Sequence, residues 1–301
     1  MVASIAVSSY MWASVDIFRQ TYNQSGRAGM SQFHKGLVAG CDYLLLGMNM
    51  DLDHPIVQTY SKDQCMLITM ENPSIWSVPC SIVSRSGIIV SPFPAYGRES
   101  SYSIRAHPAI PWFYGIEFDG KRGLEHYPVN TALFFDDMVS MRPPSKSKLL
   151  SIVVSGKSGS IGYQWRLSLA ERLKQVLGPD CDIYGFGHNP ISDKRDAIDP
   201  YLFTLCIENE SHDYYWTEKL ADAYLGYAYP IYSGDRRVQD DFPAHISTLE
   251  FGMDVNKAVK KVICIISGYD AGYSQAIIEN RNSILFRHNM FYSIDSVLRG
   301  I

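Results

Sequence analysis

A set of polar residues in the second half of the chain has the chemistry needed to hold a phosphorylated ligand. An apolar segment ends in Glu208 and Asn209, and after a polar loop come Tyr215, Glu218 and Lys219. In open α/β sheets, ligands bind beyond the carboxyl ends of the strands, where helix N-termini offer free N–H groups to phosphates. Carboxylate, amide and ammonium groups at such a place can hold polar groups of a ligand. The pattern therefore predicts a ligand site, suited to a phosphate group, at this strand end.

Tyr215 and Lys219 are four residues apart at the start of a helix predicted over 215–227, so they are expected to share one helix face. Trp216 and Leu220 begin the opposite, apolar stripe, which is interpreted as core. On the residues alone, a lysine at position 219 is more often solvated than ligand-binding.

Two more charged residues follow predicted strands. Arg166 stands near the start of a helix, after the strand 149–154 and a glycine-serine loop at 155–162. A guanidinium at that position would face a phosphate group, although a surface helix arginine is the alternative. Glu71 follows the apolar segment 66–69, and by itself a carboxylate there is either a capping group or solvated.

The elements that must position these residues alternate between strand and helix after a polar linker at 142–148. In the second half strands are predicted at 149–154, 182–184, 202–207, 229–232 and 261–266, with a helix after 162 that ends at Gly178 and a helical tail over 274–298. In the first half, buried strands are predicted at 43–46, 66–69 and 88–90. Such alternation predicts an α/β fold with a Rossmann-like lobe.

The region 91–130 is dense in proline, glycine and aromatic residues, among them Trp112 and Tyr114. One interpretation is a partly packed surface loop. The other is an aromatic platform for a sugar acceptor.

The segment 201–234 resembles the donor-binding signature of glycosyltransferase family 10, the α-1,3/1,4-fucosyltransferases. The family's order and spacing are kept in Glu208-Asn209, in Tyr215-Trp216-Thr217-Glu218-Lys219, in Asp222-Ala223 and from Pro230 to Gly234. Shorter stretches are also similar, namely Ser155 with Arg166 and Asp182 to Gly185, and Thr69-Met70-Glu71-Asn72, where Met70 replaces a small residue. Trp216, Tyr227 and Tyr229 depart from the family pattern.

The resemblance implies a GT-B fold, with two Rossmann-like lobes facing a central cleft. It assigns residues 1–145 to an acceptor-binding lobe, 146–272 to a lobe that binds the GDP-sugar donor, and 273–301 to a C-terminal helical tail.

It also implies an inverting transfer of fucose from GDP-fucose to a hydroxyl of an acceptor glycan, through an α-1,3 linkage, without a metal ion. Glu71 would be the catalytic base. The donor would be held by Arg166 and Lys219 at the diphosphate, by Tyr215 and Glu218 in the nucleotide pocket, and by Asn209, which orders the loop.

Two alternatives remain open at this point. The scaffold could serve a GT-B transferase that uses another nucleotide sugar, since the signature mainly holds nucleotide and phosphates. It could also belong to a non-catalytic glycan-binding protein with a decayed transferase fold.

The composition of the chain argues against nucleic acid and a membrane span. The 301 residues carry a formal net charge of −4, and no run of Lys and Arg is present, which argues against nucleic acid as a partner. The apolar N-terminal run is too short to span a bilayer, so no membrane span is expected. A cytoplasmic location is expected, with peripheral association with a membrane left open.

Two short motifs are set aside. Gly156-Lys157-Ser158 lacks the earlier glycine of a phosphate-binding P-loop, because Ser151 stands at that position. Asp51-Leu52-Asp53 has the form of a metal-binding Asp-x-Asp, but it lies in a predicted loop beside His54-Pro55, and we do not expect a metal role for it.

Overall fold

A computed structural model describes residues 2–8, 16–47, 49–69, 73, 77–93, 96, 102–104, 112–119 and 127–300, with backbone alone at 102–104, 127 and 271. The strands are β1 (Ala3–Val7), β2 (Arg27–Ala28), β3 (Ser31–Lys35), β4 (Tyr43–Leu45), β5 (Cys65–Ile68), β6 (Ile88–Val90), β7 (Tyr102–Ile104), β8 (Ile116–Asp119), β9 (Tyr127–Thr131), β10 (Lys148–Val153), β11 (Cys181–Tyr184), β12 (Tyr201–Ile207), β13 (Tyr229–Ser233) and β14 (Ser247–Thr248). The helices are α1 (Pro55–Gln58), α2 (Cys80–Arg85), α3 (Phe135–Ser140), α4 (Ile161–Leu177), α5 (Arg195–Ile198), α6 (Glu218–Leu225), α7 (Val238–Asp241), α8 (Val255–Ser267), α9 (Ala271–Phe286) and α10 (Met290–Gly300). Short 3-10 turns occur at Ile17–Gln20, Tyr22–Gln24, Lys62–Gln64 and Gly178–Asp180.

The chain forms two compact units. The first comprises Met1–Pro111, Phe134–Asp136 and Phe286–Ile301, and the second comprises Trp112–Leu133 and Asp137–Leu285. The boundary predicted at residue 145 lies inside the second unit, and the predicted tail 273–301 contributes to both units. The division into acceptor-binding and donor-binding lobes stays a prediction.

The first unit is built on a seven-stranded sheet in the order β2-β3-β1-β4-β5-β6-β7. Its strands run parallel except at the β2–β3 pair, which is antiparallel. Buried apolar side chains such as Ile5, Phe33 and Met66 form its core, as expected for strands covered on both faces.

Helix α10 closes this core. Phe291 packs edge-on against Phe33, with ring centroids 4.8 Å apart. On the same helix Asp295 is buried and accepts hydrogen bonds from Met30 N at 3.0 Å and Ser31 Oγ at 2.7 Å. The helix is therefore fixed to the β2–β3 hairpin by a buried carboxylate as well as by apolar packing.

The second unit has an all-parallel sheet in the order β11-β10-β12-β13-β14, and β8 and β9 form a separate antiparallel pair. Helix α4 follows β10, and its buried face contains Trp165, Leu169 and Leu173, as the spacing predicts. Each sheet has the strand–helix–strand connections expected of a Rossmann-like unit, which confirms the predicted α/β class.

Several predicted elements are shifted or wrong. The expected strand at 261–266 is part of helix α8, which begins after the cap residue Asp254 and buries Ala258, Val259 and Val262 at helical spacing. The apolar run that suggested a strand is the last part of that helix. The single helical tail expected over 274–298 is two helices, α9 and α10.

The aromatic platform expected around 91–130 is not supported by its described members. Trp112 and Tyr114 are buried in the second unit, and Tyr114 donates its hydroxyl hydrogen to Asp199 Oδ1 at 2.6 Å. Phe93 and Tyr96 are also buried. These rings are core residues, because their apolar area is more stable inside the protein than on a surface.

No helix in the described part of the chain is long and apolar enough to cross a membrane.

Candidate active site

The strand order of the second unit marks where a ligand should bind. The chain passes from β10 to β11 on one side and then to β12 on the other, so the order reverses between β10 and β12. In doubly wound sheets the crevice at the carboxyl ends of two such strands is the usual ligand site. The glycine-serine loop from Ser155 follows β10, and Glu208 and Asn209 follow β12.

Arg166 is brought to this point by helix α4. Ser160 caps the helix, its side chain accepting a hydrogen bond from Tyr163 N at 3.2 Å. At Gly162 the helix passes so close to β12 that an added Cβ would lie 2.4 Å from Asn209 O. One turn further, Arg166 Nη1 donates to Asn209 Oδ1 at 3.1 Å. Two of the predicted donor-binding residues therefore contact each other.

The guanidinium of Arg166 is buried and forms no ion pair with a described carboxylate. Its side chain is 5 % exposed, no ion pair joins it to a described residue, and Nε has no acceptor there. Burial lowers the pKa of Arg166, although Tyr163, Glu208 and Glu218 act in the opposite direction. Arginine nevertheless stays protonated in proteins, so this charge calls for an anionic partner.

Lys219 is held by a buried carboxylate. Glu208, which is fully buried, accepts hydrogen bonds from Thr217 N at 2.8 Å and Thr217 Oγ1 at 2.7 Å. Lys219 Nζ lies 3.1 Å from Glu208 Oε2 and 3.0 Å from Thr217 Oγ1. Glu208 thereby fixes both the start of helix α6 and the ammonium beside it.

Glu218 lies next to two ammonium groups. Its Oε1 is 3.5 Å from Lys219 Nζ and 4.0 Å from Lys194 Nζ. Burial alone would raise the pKa of Glu218, but the two lysine charges, together with hydrogen bonds from Thr217 and the backbone, hold it below the ordinary value. Glu218 is therefore an ionised carboxylate at neutral pH, able to accept hydrogen bonds from hydroxyl groups.

Asp222 forms an ion pair with Lys194, a residue that no sequence pattern indicated as part of the site. Lys194 Nζ lies 2.5 Å from Asp222 Oδ2, and Asp222 Oδ1 accepts the N–H groups of Phe113 and Tyr114 at 2.8 and 2.9 Å. Burial raises the pKa of Asp222, and Lys194 opposes that rise. Lys194 sits in the loop between β11 and β12, where no spacing rule indicates a site; only the fold brings it to α6.

Tyr215 differs from its prediction. Helix α6 begins at Glu218 with Thr217 as its cap, so Tyr215 precedes the helix and does not share a helix face with Lys219. Its side chain is fully buried, and its carbonyl accepts a hydrogen bond from Tyr232 OH at 3.3 Å. The helix starts later than expected because Glu208 and the cap hydroxyl hold the Thr217 backbone in an extended conformation.

The comparison with known families agrees with this geometry. Residues 143–259 match the model described as "Glycosyltransferase family 10 (fucosyltransferase) C-term", and this range contains β10 to β14 and the whole polar cluster. Residues 143–259 are thus similar to glycosyltransferase family 10.

One relative is similar to part of this chain. The Alpha-(1,3)-fucosyltransferase FucT of Helicobacter pylori is 41 % identical over 99 residues, which is 33 % of this chain and 20 % of that protein. The matched segment thus spans about a fifth of the relative's length.

Solved structures are similar over nearly the whole chain. A crystal structure of an alpha1,3-fucosyltransferase with GDP has a TM-score of 0.54 at 15 % identity, covering 99 % of this chain and 89 % of that one. A structure of such an enzyme with GDP-fucose has a TM-score of 0.53 at 16 % identity, covering 99 % and 90 %. At this identity the likeness concerns the fold, which is of the GT-B type.

The second unit brings together most of the predicted donor-binding residues. Arg166 contacts Asn209, and Lys219 contacts Glu218, all at the carboxyl edge of one sheet. Glu71, predicted as the catalytic base, lies outside the described residues, and its role stays a prediction.

The two aspartates set aside above lie in the other unit. Asp51 and Asp53 are exposed, and Asp51 Oδ1 accepts the N–H of Asp53 at 3.0 Å within a turn. Among the described residues no group of three or more His, Cys, Asp or Glu side chains could hold a metal ion.

Proposed function

We propose that the protein is an inverting fucosyltransferase that moves fucose from GDP-fucose to a hydroxyl group of an acceptor glycan. The observation that carries this proposal is Arg166, a buried guanidinium without a carboxylate partner, at the switch point of a family 10 sheet. A buried cation of this kind is stabilised when an anion binds. The name of the relative adds the α-1,3 linkage, and the names of the similar structures add GDP and GDP-fucose as the ligand class.

In the proposed reaction the acceptor hydroxyl oxygen attacks the anomeric carbon of fucose. The bond between that carbon and the β-phosphate oxygen breaks, and GDP leaves with the electron pair. Glu71 takes the hydroxyl proton, a role that typically contributes about 100- to 10,000-fold in rate. Single displacement inverts the configuration at the anomeric carbon.

Three side chains in the second unit would bind the donor. Arg166 can grip two oxygens of the diphosphate in a fork, and Lys219 adds a point charge. The ionised Glu218 would accept hydrogen bonds from the ribose hydroxyls. Asn209 orients Arg166, whereas the side chain of Tyr215 is fully buried and would not contact the donor directly.

The leaving group would be stabilised by these cations, without a metal ion. Transfer should therefore continue in excess chelator. A strict requirement for Mn²⁺ or Mg²⁺ would contradict this part of the proposal.

The test is transfer of label from GDP-fucose to a panel of glycans, run beside GDP-mannose and UDP-galactose as donors. We expect label from GDP-fucose alone, and a loss of about 100-fold or more in Glu71→Gln with GDP binding kept. Binding of GDP without transfer to any glycan would favour a glycan-binding protein with a decayed site. Transfer from another donor would assign a different sugar.

A further inference from the structure

A buried aspartate outside the predicted donor-binding set holds the 210–216 loop, which connects Asn209 to the helix that carries Glu218 and Lys219. Asp235 follows β13, and its Oδ1 accepts the N–H of Tyr214 at 2.9 Å and of Arg237 at 2.8 Å. Its own N–H donates to Tyr232 OH at 2.9 Å, and that hydroxyl donates to Tyr215 O at 3.3 Å. Two successive residues of the 210–216 loop are thus bound, Tyr214 by Asp235 directly and Tyr215 by Tyr232, which also contacts Asp235.

A further hydrogen bond and an exposed ion pair also join the 210–216 loop to the turn that contains Asp235. Ser211 Oγ donates to Gly234 O at 2.6 Å, which adds a further hydrogen bond between the loop and the turn. Arg236 forms an ion pair with Asp213 at 2.9 Å, but the arginine side chain is 71 % exposed. An exposed pair of this kind contributes little to stability, so the buried hydrogen bonds carry most of the attachment.

The backbone of Tyr214 needs an external partner. Its φ is 65°, in the left-handed region that costs a non-glycine residue free energy. Such a conformation persists only where the surroundings hold it, and the acceptor that holds this N–H is Asp235 Oδ1.

The chemistry of Asp235 indicates which property of the side chain is used. The residue is 3 % exposed, and its other oxygen, Oδ2, has no partner among the described residues. Burial, with Asp241 and Asp213 nearby, raises the pKa to about 6, although the two N–H groups lower it. The surroundings do not stabilise a negative charge on Asp235. The oxygen Oδ1, by contrast, accepts two hydrogen bonds.

We infer that Asp235 is a positioning residue of the donor site, acting through the acceptor oxygen that holds Tyr214. The 210–216 loop runs from Asn209, which contacts Arg166, to Thr217, the cap of the helix that carries Glu218 and Lys219. Release of the loop would therefore displace the residues at both of its ends, which are the proposed contacts to the diphosphate and the ribose. This inference rests on the proposed function for its ligand and on the hydrogen bonds for its mechanism.

The experiment compares Asp235→Ala, Asp235→Asn and Asp213→Ala in two measurements, GDP affinity by calorimetry and hydrogen exchange over 210–216, well below the melting temperature. The alanine variant loses the acceptor, so we expect GDP binding about tenfold weaker and faster exchange at Tyr214. Asparagine keeps an oxygen at the same place and should restore both to near the wild-type values. Asp213→Ala, the matched control, removes only the exposed ion pair and should change neither.

Three results would contradict either the inference about Asp235 or the proposed function. Unchanged GDP affinity in Asp235→Ala, with a lowered melting temperature, would overturn the inference and leave a stabilising role alone. Failure of asparagine to restore GDP affinity would also overturn it, because the charge would then be what matters. Wild-type protein without affinity for GDP would overturn the proposed function instead, and hydrogen exchange in the ligand-free variants would still test the loop.

Discussion

At the residue scale, the feature with the largest consequence is the buried charge of Arg166. Its hydrogen-bond acceptor, the Asn209 amide oxygen, carries no charge, and no described carboxylate forms an ion pair with it. We predict that Arg166→Met weakens GDP binding at least about tenfold, because a charge-assisted hydrogen bond contributes roughly 1.5–3 kcal/mol. Stability without ligand should fall little, since an unpaired buried charge is removed as well.

The control for that prediction is on the same helix. Arg172 is exposed and bonds to Asn256 Oδ1 at 3.2 Å, so Arg172→Met should leave GDP affinity unchanged by calorimetry. Equal effects of the two substitutions would show that Arg166 has no specific role in binding.

A second residue-scale prediction concerns Glu208. Gln at this position keeps an acceptor for Thr217 but loses the charge that pairs with Lys219. The ammonium then keeps the longer 3.5 Å contact with Glu218, so we expect Glu208→Gln to lower the free energy of unfolding by about 2 kcal/mol in urea titrations. Asp240→Asn, which breaks an exposed pair with Arg237, should cost about 1 kcal/mol or less. A loss in Glu208→Gln no larger than in this control would contradict the account.

The sequence indicates these residues unevenly. Asn209, Glu218 and Lys219 could be identified because they follow a strand at a spacing that a known family shares. Lys194 could not, since it reaches α6 through the packing of a loop that carries no motif. The ion-pair partner of each charged side chain, such as Glu208 for Lys219, could not be predicted either, because it depends on distances in the folded chain.

At the element scale, the close approach of α4 to β12 sets the geometry of the site. An added Cβ at Gly162 would lie 2.4 Å from Asn209 O, a backbone atom that cannot simply rotate away. We predict that Gly162→Ala lowers stability by about 1–3 kcal/mol and weakens GDP binding, because the helix must move away from Asn209.

Gly159 offers the matched control. It lies in the preceding loop with nothing within 4 Å of an added Cβ, so Gly159→Ala should leave stability and GDP affinity unchanged. The prediction about Gly162 is wrong if both alanine variants melt and bind GDP alike.

Strand positions were the most predictable elements. The predicted strands at 88–90, 202–207 and 229–232 match β6, β12 and β13 within a residue, because continuous apolar runs are typical of buried parallel strands. The start of α6 was missed by three residues, since a buried side chain 9 residues earlier fixes Thr217. The apolar end of helix α8, Val262 to Ile266, has by itself the pattern of a buried strand, and only the residues before it give the helical spacing of Ala258, Val259 and Val262.

At the scale of the whole molecule, the raised pKa of Asp235 predicts how stability depends on pH. The folded value is about 6 against an ordinary value of 3.8, so the folded state holds a proton that the unfolded state releases between them. This contribution is present below about pH 4 and is lost as the pH rises to about 6, with a magnitude of about 3 kcal/mol. In urea titrations across this window, wild type should lose stability relative to Asp235→Asn, and parallel profiles would contradict the prediction.

The most direct test of the central claim, that the second unit binds a GDP-sugar, is a thermal-shift comparison of GDP, UDP, ADP, CMP and dTDP at one concentration without metal. A ligand at about 100 times its dissociation constant stabilises the folded state by roughly 2.7 kcal/mol. We predict a rise in melting temperature with GDP alone, lost in Lys219→Ala. A larger rise with UDP, or no response to any nucleotide, would contradict the account.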